Sequence, residues 1–241
     1  MEWQAVLKVK SRVNRFVLLF EGRTGSSYCI KSLNAMGRAQ VRSEGLVSLR
    51  SDGWPSQETW IKEALTPPTL SRLDVVGFKT KLRDIVDRDR FAELLDSYDL
   101  RVLYMKRRNT VKAVVSMMRS RILKERTGSY NAYAAENRLG PTELDPELFD
   151  DLLRKRERLD RELDDFVASL NCPRRAFYYE DLLADEEVFF REICDFLGTR
   201  YGANRSSAIK NTSDDLSRDI TNFDELRGRY LGTPYADGFD G

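Results

Sequence analysis

The chain has no histidine among its 241 residues, and that absence removes more chemistry than any one motif supplies. No imidazole can act as a general base near neutral pH, and the common histidine-containing zinc sites are excluded. Acid–base work must fall to a carboxylate or a lysine. Cysteine is scarce too: Cys29, Cys172 and Cys194 stand singly, without CxxC spacing or a disulfide framework. They read as buried, reduced thiols. No apolar run approaches the roughly 18 residues of a membrane-spanning helix, and Met1-Glu2-Trp3 does not open like a signal peptide. The expectation is a soluble, cytoplasmic protein of bacterial type with no membrane span, although a luminal domain separated from its anchor would read the same way. Nor does charge of one sign dominate. Lys and Arg total 40 against 39 Asp and Glu, a net charge of +1, so no overall field draws the chain to nucleic acid and any basic site must be local.

What is present alternates. Short apolar runs predict strands over 15–20, 74–79, 100–106 and 175–179, and helical periodicity predicts helices over 26–36, 57–64, 88–97, 110–124, 146–170 and 186–197. Such alternation predicts an α/β fold, a three-layer sandwich with a central parallel sheet covered on both faces, in a single domain over 1–241. Ligands of such folds bind at the carboxyl ends of the strands, where the loop at Arg23, Lys79 and Arg108 all fall. The 146–170 segment carries Phe149, Leu152, Leu159, Leu163, Phe166 and Leu170 at helical spacing among charged residues, and reads as a solvated outer helix with one packed face. The Gly- and Pro-containing stretch 128–145 reads as an insertion or a substrate lid, and the polar tail 201–241 as a wrapping or partly disordered segment.

The most informative stretch is 16–31, FVLLFEGRTGSSYCIK. A buried strand runs into a Gly- and hydroxyl-rich turn and then into a helix, an arrangement that cradles an anion with unpaired N–H groups and the positive end of a helix dipole. The plainer reading is a helix start with Ser26 as its N-cap. A nucleoside-triphosphate loop of the form GxxxxGK[ST] needs a Lys before its hydroxyl, and Gly22-Arg-Thr-Gly-Ser-Ser-Tyr28 has none, which disfavours kinase or ATPase chemistry. A second candidate follows the third predicted strand: Ser116 lies eight residues after Arg108, a spacing that can bring a forked donor and a hydroxyl to one phosphate.

Taken together, the first loop, the Arg108-Asn-x6-Ser116 pattern, Tyr179-Glu-Asp-Leu182 and the FFREICDFLG stretch at 189–198 resemble the sulfotransferase superfamily, a P-loop-like fold whose members use 3′-phosphoadenosine 5′-phosphosulfate (PAPS). The Lys210-Asn-Thr-Ser213 segment and the 222–230 stretch are similar to the tail that covers the nucleotide. The resemblance implies that Arg23, Thr24, Gly25, Ser26 and Ser27 hold the phosphosulfate and that Arg108 and Ser116 hold the 3′-phosphate. It also implies that Tyr179 lies near the adenine, that Lys210 helps to cover the 3′-phosphate, and that no metal is required. Two departures stand out. Thr110 replaces a frequent Pro. Arg23 stands where hormone-type members have Lys, which points to the carbohydrate and tyrosylprotein branches, whose members use a Glu about twenty residues after the loop Arg. Glu44 falls there and is the expected base, with Asp52 and Glu58 as rivals. Lys79 either stabilises the sulfuryl oxygens or caps a strand at the surface.

The expected partner is a small-molecule or carbohydrate hydroxyl acceptor, and a homodimer is compatible with such a chain. Trp54, Trp60, Tyr130 and Tyr133 either line the acceptor pocket or belong to the core. Two rival readings are a small-molecule or polynucleotide kinase on the same scaffold and a non-catalytic nucleotide-binding protein of this fold.

Overall fold

The computed structural model describes residues 13–69, 71–130, 139–202 and 215–240. At its centre lies β1 (Asn14–Phe20), whose run of large apolar residues is buried from Phe16 onward. A strand with no polar face must be covered on both sides, and the sheet provides this. Its order is β2 (Ala39–Arg42), β3 (Val75–Thr80), β1, β4 (Arg101–Lys106) and β5 (Arg174–Tyr178), all parallel. The expected α/β sandwich is therefore observed. Because β1 lies between β3 and β4, the chain first builds one side of the sheet and then crosses to the other. A crevice opens at the carboxyl end of β1, where that reversal occurs.

The two-residue period of β1 divides the core. Val17 and Leu19 pack with Phe78 and Val102 against α2 (Trp54–Ala64), α3 (Arg88–Ser97) and the second half of α5 (Pro146–Ser169). On the opposite face, Phe16, Leu18 and Phe20 join Leu103 and Met105 beneath α1 (Ser26–Ala35) and α7 (Glu186–Leu197). A third cluster unites α4 (Thr110–Thr127), the first half of α5 and the closing segment with α8 (Phe223–Gly228). A short α6 (Tyr179–Ala184) links β5 to α7. No helix among the described residues is long and apolar enough to cross a membrane.

The four expected strands lie within one residue of their observed bounds. β2 was not expected: four residues with two half-exposed polar members leave too little alternation to read. α2 begins at Trp54 instead of 57, since Pro55 is tolerated in a first turn. α4 continues to Thr127, where Gly128 at φ 76° ends it. Within the 128–145 segment, residues 131–138 lie outside the described residues, and Thr142 forms a parallel bridge to Ile220. The described part of the tail packs on α4 and α5. The solvated reading of α5 needs one correction: Arg156 lies on its packed face and is buried.

Arg119 of α4 joins this third layer. Fully buried, it donates to the carbonyls of Leu139, at 3.0 Å, and Gly140, at 3.1 Å, and lies 3.3 Å from the Asp219 carboxylate. Arg119→Met leaves the buried Asp219 without its donor and releases the half-buried Leu139 carbonyl. It is expected to cost about 3–5 kcal/mol, read as a lowered midpoint in urea unfolding; a midpoint unchanged from the parent refutes the account.

Candidate functional site

The loop after β1 is shaped by its carbonyls. The Glu21 carbonyl accepts from Thr24 Oγ1 at 3.0 Å, that of Gly22 from Arg156 Nη1 at 2.6 Å, and that of Arg23 from Arg107 Nη1 at 3.3 Å. Three successive acceptors are thus drawn to side chains of the loop, α5 and the end of β4. Arg23 adopts φ 68° and Gly25 φ 79°. A non-glycine residue in the left-handed region is strained, and here the Arg23 carbonyl and its Nε, which donates to Ser116 Oγ at 2.9 Å, are both held. The residue that precedes α1 is Gly25, so the plainer alternative, a helix capped by Ser26, does not hold. No side chain caps the helix and no carboxylate occupies its first turn, which leaves the amides and the dipole to an external anion. Thr24 and Ser26 are buried in the turn.

The charge that such a cradle needs comes from the neighbouring strand. Lys79, second to last in β3, is 2% exposed, which disposes of its reading as a surface lysine. Its Nζ donates to Ser27 Oγ at 2.9 Å, lies 3.0 Å from Glu44 Oε1 and sits 4.7 Å from the centre of the Phe20 ring. Glu44 Oε2 is bonded in turn to Lys81 Nζ. Burial pushes the Lys79 ammonium down from its ordinary pKa, against the pull of Glu44. Burial alone would raise the Glu44 carboxyl, but the hydrogen bonds and charges of Lys81 and Lys79 outweigh it and hold the group below the usual carboxylate range. Glu44 keeps 26% of its side chain exposed and is accessible from the crevice. Neither rival stands in this cluster: Asp52 accepts from Ser51, and Glu58 pairs with Lys62 on α2.

Arg108 and Ser116 are not in contact with each other. Arg108 makes a forked pair with Asp181 of α6, at 2.7 and 3.0 Å, over the Tyr178 ring, while Ser116 is held by Arg23. Tyr179 packs edge-on against the loop, so close that a Cβ at Gly25 would lie 2.9 Å from its ring. Of the aromatic candidates, Trp54 is core, and Trp60 is partly buried against Phe78. Tyr130 is exposed beside Lys124, and Tyr133 lies outside the described residues, as does Lys210.

Four site residues escaped the sequence reading. Lys81 is two residues beyond Lys79 on extended backbone, so strand alternation puts both on one side. Arg156 continues the Phe149, Leu152, Leu163, Val167 stripe, with Asp160 one turn further as its partner at 2.7 Å. Arg107, only 9% exposed, lies over Tyr179 at 4.6 Å and leaves its Nε without a partner among the described residues. Glu21 is buried at the mouth of the loop, and burial pushes its carboxyl up despite Arg83 and Arg156. Among the described residues no group of three Cys, Asp or Glu is arranged to hold a metal.

No protein-family model matches the chain. It is 25% identical to nodulation protein H of Rhizobium tropici over 93% of this chain and 92% of that protein. Against nodulation protein H of Rhizobium meliloti (strain 1021) it is 26% identical, over 93% and 94%. Among solved structures it is similar to a sulfotransferase from Alicyclobacillus acidocaldarius, with a TM-score of 0.49, 13% identity and 94% of each chain covered. At this distance the case for an activity rests on the site.

Gly25 is fixed both by its φ and by Tyr179. Gly25→Ala is therefore expected to cost about 1–3 kcal/mol and to lower the urea midpoint; an unchanged midpoint would show that the loop has room to adjust.

Proposed function

We propose that the chain is a PAPS-dependent sulfotransferase that passes a sulfuryl group to an acceptor hydroxyl, foremost that of a carbohydrate, with Glu44 as base. The observation that carries this reading is the continuous chain Ser27, Lys79, Glu44, which joins an uncapped helix N-terminus to an ionised, accessible carboxylate through one buried ammonium. A triphosphate loop would carry its lysine within the loop and use it on phosphates alone. Here the lysine comes from β3 and faces both an anion cradle and a base.

The residues fit such a donor. The amides of the Gly22–Ser27 turn and the dipole of α1 would receive its phosphosulfate, with Lys79 neutralising the sulfuryl oxygens. Arg23, Arg107, Arg108 and Ser116 form a basic group beside the loop suited to its second phosphate, with Arg107 bringing an unmet donor. Tyr179, packed on Gly25, offers a ring near the adenine, and Lys210 would cover the 3′-phosphate. Bound there, PAPS supplies a sulfuryl group on a phosphate leaving group. Glu44 does the remaining work: each carboxylate oxygen retains a lone pair beyond the one given to lysine, and one of them takes the acceptor proton as the oxygen attacks. A carboxyl held ionised is always ready but weakly basic, so catalysis leans on position and on the charge of Lys79.

Glu44→Gln is expected to lower kcat by about 10²–10⁴ while 3′-phosphoadenosine 5′-phosphate still raises the melting midpoint. Full turnover in this variant removes Glu44 from the mechanism, and stabilisation by ATP with magnesium in place of that nucleotide points to the kinase reading.

The pH profile gives a separate check. Since the Glu44 carboxyl lies below its ordinary pKa, kcat/KM for the donor should stay level from neutral pH to about pH 5 and fall only below it. The dianionic phosphosulfate of a bound donor adds negative charge beside Lys79 and raises the carboxyl's proton affinity, so the acid limb of kcat should lie at higher pH than that of kcat/KM. Coincident limbs would show that the cradle and Glu44 are uncoupled.

A further inference from the structure

A cleft of about 710 Å³ is lined by Val47, Arg50, Ser51, Arg83, Ile85 and Val86. Its two walls are single-turn helices, Leu46–Leu49 and Leu82–Asp84, which begin two residues after Glu44 and one residue after Lys81. Those two side chains are in contact, so the segments leading into both walls are tied together at Glu44 and Lys81. The walls are braced from beneath by one fully buried amide. Gln57 donates to the Leu46 carbonyl at 3.0 Å and to the Asp84 carbonyl at 2.7 Å, and accepts from the Val86 amide at 3.0 Å. The cleft is thus held open by the fold, as a preformed binding site requires.

Its lining combines two kinds of surface. Val47 and Val86 are among the few large apolar side chains that are exposed. Arg50 and Arg83 keep 56% and 40% of their side chains exposed, and their nearest carboxylates, Asp84 and Glu21, stand 4.0 and 3.7 Å away, beyond hydrogen-bonding distance. By contrast, Arg108 approaches Asp181 to 2.7 Å and Arg175 approaches Glu192 to 2.6 Å. Both acids beneath the cleft are buried, and burial favours the neutral form of Glu21, which leaves Arg83 with less compensation. Two exposed guanidinium forks with no carboxylate within hydrogen-bonding distance among the described residues, set between apolar side chains, suit a carboxylate or sulfate group attached to an apolar or sugar body.

We infer that this cleft is the acceptor subsite and that it selects an acceptor bearing an anionic group, seated between Arg50 and Arg83 with its hydroxyl turned to Glu44. The inference rests on the transferase reading above and narrows its substrate class.

The test compares two matched pairs, para-hydroxyphenylacetate with its neutral amide and glucuronate with glucuronamide. Binding is followed by ligand-observed NMR saturation transfer and transfer by KM, with stabilisation by 3′-phosphoadenosine 5′-phosphate recorded on the same samples. The parent is expected to favour each acid. The double variant Arg50→Gln, Arg83→Gln should weaken the acids about tenfold, equivalent to about 1.4 kcal/mol, and leave the amides within about twofold, given that a charged hydrogen bond is lost only for the acid. The double variant Arg50→Lys, Arg83→Lys should recover part of the preference. Equal affinity for acid and amide in the parent overturns the inference, as does an equal loss for both in the variants while nucleotide stabilisation is retained. Acid-selective binding without any nucleotide stabilisation overturns both readings, and shows an anion site that serves no transferase.

Discussion

A lysine ammonium buried at the end of a central strand is the constraint around which this structure is arranged. β3 is buried along all six residues, and Lys79 lies opposite Leu18 of β1, so its side chain has no course to solvent through the sheet. An isolated ammonium at such a place costs several kcal/mol even after relaxation, and three groups answer it. The Ser27 hydroxyl and the Glu44 carboxylate lie at 2.9 and 3.0 Å, and the Phe20 ring face offers its negative quadrupole. They come from two connections of the sheet: Phe20 and Ser27 from the two ends of the β1-to-α1 loop, and Glu44 from the turn that follows β2. The last requires Gly45, since a Cβ there would come within 2.2 Å of the Trp60 ring. Only without a side chain can the backbone beside Glu44 lie against that ring and carry the carboxylate back over the crevice.

The loop is governed by the same economy of buried charge. Arg156 and Arg107 are each costly to bury, yet each donates to a carbonyl that would otherwise compete for the inner face of the turn. With the three carbonyls of Glu21, Gly22 and Arg23 taken by side chains, the turn can present amides without presenting acceptors. The positive φ at Arg23 follows from that demand, because its carbonyl and its side chain are fixed by two different parts of β4 and α4. Strain at one residue is the local expression of an anion site built from three layers.

Much of this was legible in the residues. Phe16 to Phe20 could only be a strand covered on both faces, and a Gly- and hydroxyl-rich turn after such a strand could only lie at the mouth of a parallel sheet. The absence of histidine left acid–base work to a carboxylate or a lysine; the family resemblance pointed to Glu44, and its place at the end of a predicted strand to Lys79. What one-dimensional spacing does not carry is which partner a long side chain takes. Arg108 and Ser116 sit at a spacing that suits one phosphate, yet in the folded chain Asp181 and Arg23 are nearer to each. Arg156 sat in a run of alternating charge, and only its position on the apolar stripe of α5 marked it as buried. β2 was too short, and too polar at alternate positions, to stand out from a loop.

The placement of the lysine on a neighbouring strand has a consequence that a lysine within the loop would not. A loop lysine moves with the phosphates it holds and reports to nothing else. Lys79 is shared, so its charge divides between whatever occupies the cradle and the carboxylate behind it. With the cradle empty, the lysines hold Glu44 well ionised and poorly basic; with an anion in place, part of their field is answered elsewhere and the carboxylate gains proton affinity. On the proposed reading, the base stays weak until the group to be transferred has arrived, through electrostatics alone and with no moving part. A buried ammonium, costly in itself, would then have its place between two sites that act in turn.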